Sequence, residues 1–188
     1  MAPEWPEGVL LSKAAFELAD AGRLQEAADK YAEAVRLLDP RHYWSPSNHG
    51  EYASVLSRLG RNEDALREYE IALQQEEALY AGDTSAAPVV VARYFLAEHL
   101  LRMGAPEQAL AAVAPILEGA RQEPLSHSIK SAALHAMGRG GEAIAAAHDA
   151  VQLAHSDEQR KNVRERLAVI LQSPEPGAGE QGDEADEA

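Results

Sequence analysis

The chain predicts an all-α fold, a right-handed superhelical solenoid of stacked helix hairpins. Three observations predict it. The pattern Leu-x-x-x-Gly-x-x-x-x-Ala occurs four times in order. Each copy lies between stretches whose apolar residues recur at helical spacing. Glycine and proline fall where such helices stop and start.

The copies are Leu18-Gly22-Ala27, Leu56-Gly60-Ala65, Leu100-Gly104-Ala109 and Leu134-Gly138-Ala143, with glycines 38, 44 and 34 residues apart. A small residue stands three before each leucine: Ala15, Ala53, Ala97 and Ser131. Seven residues after each pattern alanine come Ala34, Ala72, Ile116 and Ala150. The glycine ends a first helix, because it accepts the left-handed backbone of a C-cap. A second helix then begins with acids in its first turn: Glu26, Glu63 and Asp64, Glu107, Glu142. Acids are favoured there by the helix dipole. The small residues let the two helices approach closely, and the leucine fills the space between them. A hairpin of this kind cannot bury its apolar face alone, so copies stack.

The resulting map places helices near 7–20, 24–38, 46–59, 62–79, 87–102, 106–118, 124–137, 140–154 and 157–171. Pro6, Pro46, Pro88, Pro106 and Pro124 suit first-turn positions. Pro115 falls inside the sixth helix, where it kinks or shortens it. The ninth helix starts on the capping box Ser156-x-x-Gln159. Its single apolar stripe, Val163, Leu167, Ile170 and Leu171, suits a solenoid cap. Residues 1–171 therefore form one helical domain closed by the capping helix 157–171. Residues 172–188 form a tail with six acids and no base, too poor in apolar side chains to order itself.

This pattern resembles the tetratricopeptide repeat. The match is closest at 20–40 and 58–73, where Ala27/Tyr31 and Ala65/Tyr69 repeat the Ala-x-x-x-Tyr spacing and Pro40 follows a helix end. The later copies depart from it: Val113 and Ala147 replace an aromatic, and Lys130 replaces a leucine. The longer spacings resemble the roughly 42-residue repeats of kinesin light chains. The resemblance covers about residues 8–154. It implies that the first helix of each hairpin lines a concave groove that binds a protein or peptide.

Projecting the groove face gives Phe16, Ser54, Arg58, Tyr94, Glu98, Arg102 and His135 as the principal partner-binding candidates, with Ser12, Asp20, Ser57, Leu101, Ser128 and Ala132 beside them. Arg58 and Arg102 hold equivalent positions on successive hairpins and have the geometry to grip a carboxylate. They equally suit capping their own helix ends. Lys13 stands near one position of the family's carboxylate clamp. Phe16, Glu51 and Phe95 stand where the rest of that clamp needs Asn or bases, which disfavours a chaperone-tail ligand. The aromatic loop His42-Tyr43-Trp44 is either an anchor or a plug between repeats. Arg160, Lys161, Arg164 and Arg166 form a basic cluster on the last helix, read as a solvated face or as a dock for an acidic segment.

Other chemistry is absent from the pattern. There is no cysteine, which removes disulfides, thiolate nucleophiles and Cys-based zinc sites. His148 and His155 lie two helical turns apart, about 10 Å, too far to share a metal. Gly177-x-Gly179-x-x-Gly182 has the dinucleotide spacing but follows no strand and sits among acids. No P-loop, nucleophile elbow or EF-hand loop occurs, and no cofactor is expected. The net charge of −14 argues against nucleic acid and anionic membranes. No apolar run approaches the roughly 20 residues of a membrane span, and the acidic start lacks the features of a signal peptide. The reading is a non-enzymatic cytoplasmic adaptor with a protein or peptide partner and scope for self-association. The alternative is a regulatory antagonist, of the immunity type, that occludes one enzyme or toxin.

Overall fold

The computed structural model describes residues 6–42, 44–119 and 123–173. The acidic segment from residue 174, the Gly177–Gly182 spacing within it, and Tyr43 of the aromatic loop lie outside the described residues. Every regular element among the described residues is a helix. The first hairpin is α1 (Glu7–Asp20) and α2 (Leu24–Leu37), and the second is α3 (Ser45–Arg58) and α4 (Asn62–Leu79). The third is α5 (Ala87–Arg102) and α6 (Pro106–Leu117), and the fourth is α7 (Pro124–Ala136) and α8 (Gly140–Gln152). Two helices close the array, α9 (Asp157–Arg166) and α10 (Ala168–Leu171).

All four pattern glycines have φ between 73° and 76°, the left-handed conformation that a C-cap requires. The residue after each glycine donates its N–H back to the carbonyl of the pattern leucine. These bonds are Arg23 to Leu18, Arg61 to Leu56, Ala105 to Leu100 and Arg139 to Leu134, at 2.9, 2.9, 3.0 and 2.9 Å. This is the six-to-one bond of a Schellman cap, repeated four times. In hairpins one, two and four that same residue is an arginine. It pairs with the acid three positions on, as Arg23–Glu26, Arg61–Asp64 and Arg139–Glu142. The Gly-Arg-x-x-acid string thus ends one helix and starts the next.

The small pattern residues carry the packing. Ala15, Ala27, Ala53, Ala65, Ala97, Ala109, Ser131 and Ala143 are all fully buried. Helix backbones approach closely where no side chain keeps them apart. Each first helix packs on its own second helix, and α2, α4 and α6 pack on the first helix of the next hairpin. The first helices also touch in sequence, α1 on α3, α3 on α5, α5 on α7 and α7 on α9, and so form one continuous layer. One core runs from Ala15 to Ile129 and a second gathers Leu134, Ala143, Ala147, Val163, Leu167 and Ile170.

Three details differ from the sequence map. The ninth helix is not continuous. It breaks at Leu167, whose φ of −102° and ψ of 13° leave the helical region, while Val163, Leu167 and Ile170 all enter the second core. Among the described residues ten helices therefore replace nine. Pro6 serves as the N-cap of α1 rather than a first-turn residue. The capping box is also offset: Ser156 Oγ accepts from Gln159 N at 3.1 Å, but Gln159 Oε1 accepts from His155 N at 2.8 Å, one residue further out. Pro115 lies within the last turn of α6, whose 12 residues make it shorter than α2, α4 or α8. The 44-residue spacing accommodates α4, which runs 18 residues, and the turn after it, where Ala81 and Gly82 both have positive φ.

Candidate functional site

The layer of first helices carries a trough made of two adjoining depressions. The first, of about 530 Å³, is walled by Val9, Leu10, Lys13 and Phe16 of α1 and by Trp44, Ser47, Asn48 and Glu51. The second, of about 440 Å³, lies between Pro46, Gly50, Glu51 and Ser54 of α3 and Val91 and Phe95 of α5, with Tyr69, Ala72 and Glu76 of α4 as its floor. Ser47 and Glu51 line both, so the trough is continuous from α1 to α5. Its walls leave large apolar side chains in water: Phe16 is 57 % exposed, Leu10 54 %, Val91 51 % and Phe95 46 %. They fall in two pairs, Leu10 and Phe16 along the first depression and Val91 and Phe95 along the second.

Periodicity places these groups. Val91 and Phe95 are one turn apart on α5, and Ser47, Glu51 and Ser54 are one turn apart on α3. On α4 the buried stripe reads Ala65, Tyr69, Ala72 and Glu76. The fourth member is a carboxylate where an apolar residue belongs. Glu76 is 9 % exposed, and burial raises its carboxyl above the usual glutamate value. No hydrogen bond or ion pair reaches it among the described residues. Glu51 on the shared ridge is exposed, and partial desolvation raises its carboxyl as well. The sequence signal for Glu76 was an acid on an apolar stripe.

Of the candidate partner-binding residues, Phe16 and Ser54 line the trough. Tyr94 and Glu98 flank Phe95 on α5, and the Tyr94 ring meets Phe95 edge-on at 5.4 Å. Both are held from the far end of the chain. Arg166 of α9 donates to Tyr94 Oη and to Glu98 Oε1, each at 2.6 Å, and its guanidinium sits 5.6 Å from the Tyr94 ring centre. Arg58, Arg102 and His135 fall in the last turns of α3, α5 and α7. Arg58 Nη1 donates to the Ala19 carbonyl of α1 at 3.4 Å, so it caps the neighbouring hairpin's helix. His135 is exposed.

Arg102 is exposed at the end of α5, and its guanidinium reaches a polar cluster centred on the buried His99. His99 is fully buried, and its Nε2 lies 2.9 Å from the Asn62 carbonyl. A carbonyl only accepts, so Nε2 carries the proton and Nδ1 is the acceptor. Ser57 Oγ at 3.3 Å and Arg102 Nη2 at 3.5 Å approach that Nδ1. Burial lowers the His99 pKa, and Arg102 lowers it further. The ring therefore stays neutral and ties α3, α4 and α5 together. On the last helix Arg160 pairs with Asp157, Lys161 lies 3.8 Å from Glu165, and Arg166 crosses to α5. The basic cluster is thus largely paired within the chain, and Arg164 is exposed.

No group of three or more potential metal ligands occurs among the described residues. No described helix is long and apolar enough to cross a membrane.

No family model matches the chain, and no curated protein matches it in sequence. Solved structures match in shape. BtubC (BKLC) from P. vanneervenii superposes with a TM-score of 0.67 at 17 % identity, covering 98 % of this chain and 74 % of that one. MamA, residues 41 to the end, from Desulfovibrio magneticus RS-1 superposes with a TM-score of 0.64 at 15 % identity, over 89 % of this chain and 95 % of that one. A tetratricopeptide repeat protein from Parabacteroides merdae superposes at a TM-score of 0.32, too loosely to bear on the fold. The chain is an all-helical solenoid of the tetratricopeptide-like kind, and at these identities the likeness shows the fold alone.

Proposed function

We propose that the protein is a non-enzymatic adaptor of the cytoplasm, and that it binds a segment of another protein along the first-helix layer. The observation that carries this reading is the continuous trough with Phe16, Leu10, Val91 and Phe95 left in water along its walls. Stacked first helices repeat equivalent positions side by side, which suits a long peptide segment better than a compact metabolite. Phe16, Ser54 and Phe95 supply contact along the trough. Tyr94 and Glu98 extend it towards the capping helix. Arg58, Arg102 and His135 form its outer edge at the helix ends.

The test begins with capture of partners from the native cell and their identification by mass spectrometry. Affinity for the captured partner is then measured by calorimetry for Phe16→Ala and Phe95→Ala, with circular dichroism confirming the fold. Aromatic anchors in such surfaces are worth roughly 2 kcal/mol or more each. If both variants bind like the parent while Arg164→Ala abolishes binding, the partner sits on the capping helix and the trough reading fails. Light scattering of the free chain tests self-association in the same preparation.

A further inference from the structure

The half of the trough between α3, α4 and α5 has a feature that protein folding alone does not favour. Glu76 is a carboxylate with only 9 % of its surface exposed, on the floor of an apolar depression, with no donor or cation against it. A carboxylate largely removed from water and without a partner is favoured by a cation brought against it. Glu51 stands on the rim of the same depression, and the remaining walls are mostly apolar. A pocket of about 440 Å³ falls in the range that accepts drug-sized groups, roughly 300–1,000 Å³. One turn further along α5, Glu98 with Tyr94 already holds a guanidinium, that of Arg166. The same helix face therefore shows the kind of side chain it accepts.

We propose that the depression between α3, α4 and α5 receives a lysine or arginine side chain of the partner segment, with its cation against Glu76 on the floor and Glu51 at the rim. Apolar neighbours of that residue rest on Pro46, Val91 and Phe95. The inference rests on the trough being the binding surface and adds the chemistry of what binds. Charge selects this occupant over the chain's own C-terminal segment, whose six acids and absence of bases set it against both carboxylates. An intramolecular tail would be repelled from this floor, whereas a basic and apolar segment finds both of its requirements met.

The experiment uses the full chain to select from a displayed library of randomised twelve-residue peptides. Binders are retained when Phe95→Ala weakens them. The expected binders carry a Lys or Arg flanked by apolar residues. Glu76→Gln weakens them by about 30-fold or more, as loss of a desolvated charge pair does. Replacing the basic residue of the peptide by norleucine has a similar effect on the parent chain. Glu70→Gln, an exposed acid on the same helix, leaves affinity within about 2-fold. Glu76→Gln also raises the melting temperature of the free chain, because it removes the buried unpaired charge, so lost binding is not lost folding. Phe95-dependent peptides that lack a basic residue, or that ignore Glu76→Gln, overturn the inference and leave the trough reading standing. If no selected peptide depends on Phe95, the trough reading falls and the inference with it. Calorimetry with spermidine alone closes the remaining route: Glu76-dependent binding of spermidine, without selected basic peptides, assigns the pocket to a free amine and overturns the proposal.

Discussion

Arg166 ties the capping helix to the third hairpin, and its removal tests how the solenoid is closed. It reaches 68 residues back along the chain to Glu98 at 2.6 Å and to Tyr94 Oη at 2.6 Å. A hydrogen bond to a charged group contributes about 1.5–3 kcal/mol net when sheltered. Here the Arg166 and Glu98 side chains are 38 % and 32 % exposed, so water screens the pair towards the range of about 0–1 kcal/mol for exposed pairs. The guanidinium over the Tyr94 ring adds about 0.5–1 kcal/mol. Together these give about 0.5–2 kcal/mol for Arg166→Met, which keeps the apolar stem. About 1 kcal/mol of that should appear as coupling to Glu98. The assay is urea unfolding of the parent, Arg166→Met, Glu98→Gln and the double variant, read as a cycle. Hydrogen exchange of α9 and α10 locates the loss, since a terminal unit opens before the rest. A coupling energy below about 0.2 kcal/mol, with unchanged exchange in α9, would refute the claim that this bridge closes the array.

Three further outcomes follow from the packing. Ala65→Leu inserts bulk at a fully buried helix contact, and overpacking of that kind costs about 1–3 kcal/mol, or about 2–12 °C in melting temperature for a chain of this size. Ala78→Leu, exposed on the same helix, should move stability by less than about 0.5 kcal/mol, and equal shifts in the two variants would remove the physical basis of the repeat. A chain ending at Ser173 should keep the urea midpoint of the parent, because the core closes at Ile170. His99 is held neutral below its ordinary pKa, so the unfolded chain takes up the proton first as pH falls through about 6.5. Stability therefore declines between pH 7 and 5.5 through this group, and His99→Gln should show a shallower decline over the same window by urea midpoint.

The repeat could be read because every element of it is local. Leu18, Gly22 and Ala27 act within one hairpin, and each does the same thing in all four copies: a left-handed cap, a carbonyl satisfied, a close helix contact. Such features depend on neighbours a few residues away, so spacing alone exposes them. Eight of the helix ranges agree with the sequence map to within two residues at either end for the same reason. The ninth helix could not be drawn correctly. Its break at Leu167 leaves no mark in the spacing, because Val163, Leu167 and Ile170 keep the i, i+4, i+7 positions that one face of a straight helix would also hold.

The site divides along the same line. The sequence by itself determined which helix faces carry Phe16, Ser54, Tyr94 and Glu98, because a period of 3.6 residues assigns a face whatever the helix packs against. Only the tertiary structure decided what those faces meet. Arg58 and Arg102 look equivalent in sequence, yet Arg58 reaches across to the Ala19 carbonyl at the end of α1 while Arg102 stays beside His99 of its own helix. Arg166 lies 72 residues from Tyr94, and no periodicity links them. Glu76 was not among the residues projected from the sequence, although an acid on the apolar stripe of α4 was a signal for it. Its burial without a partner at the floor of a pocket exists only because α3 and α5 close over α4, and that closure is a property of three helices rather than of one.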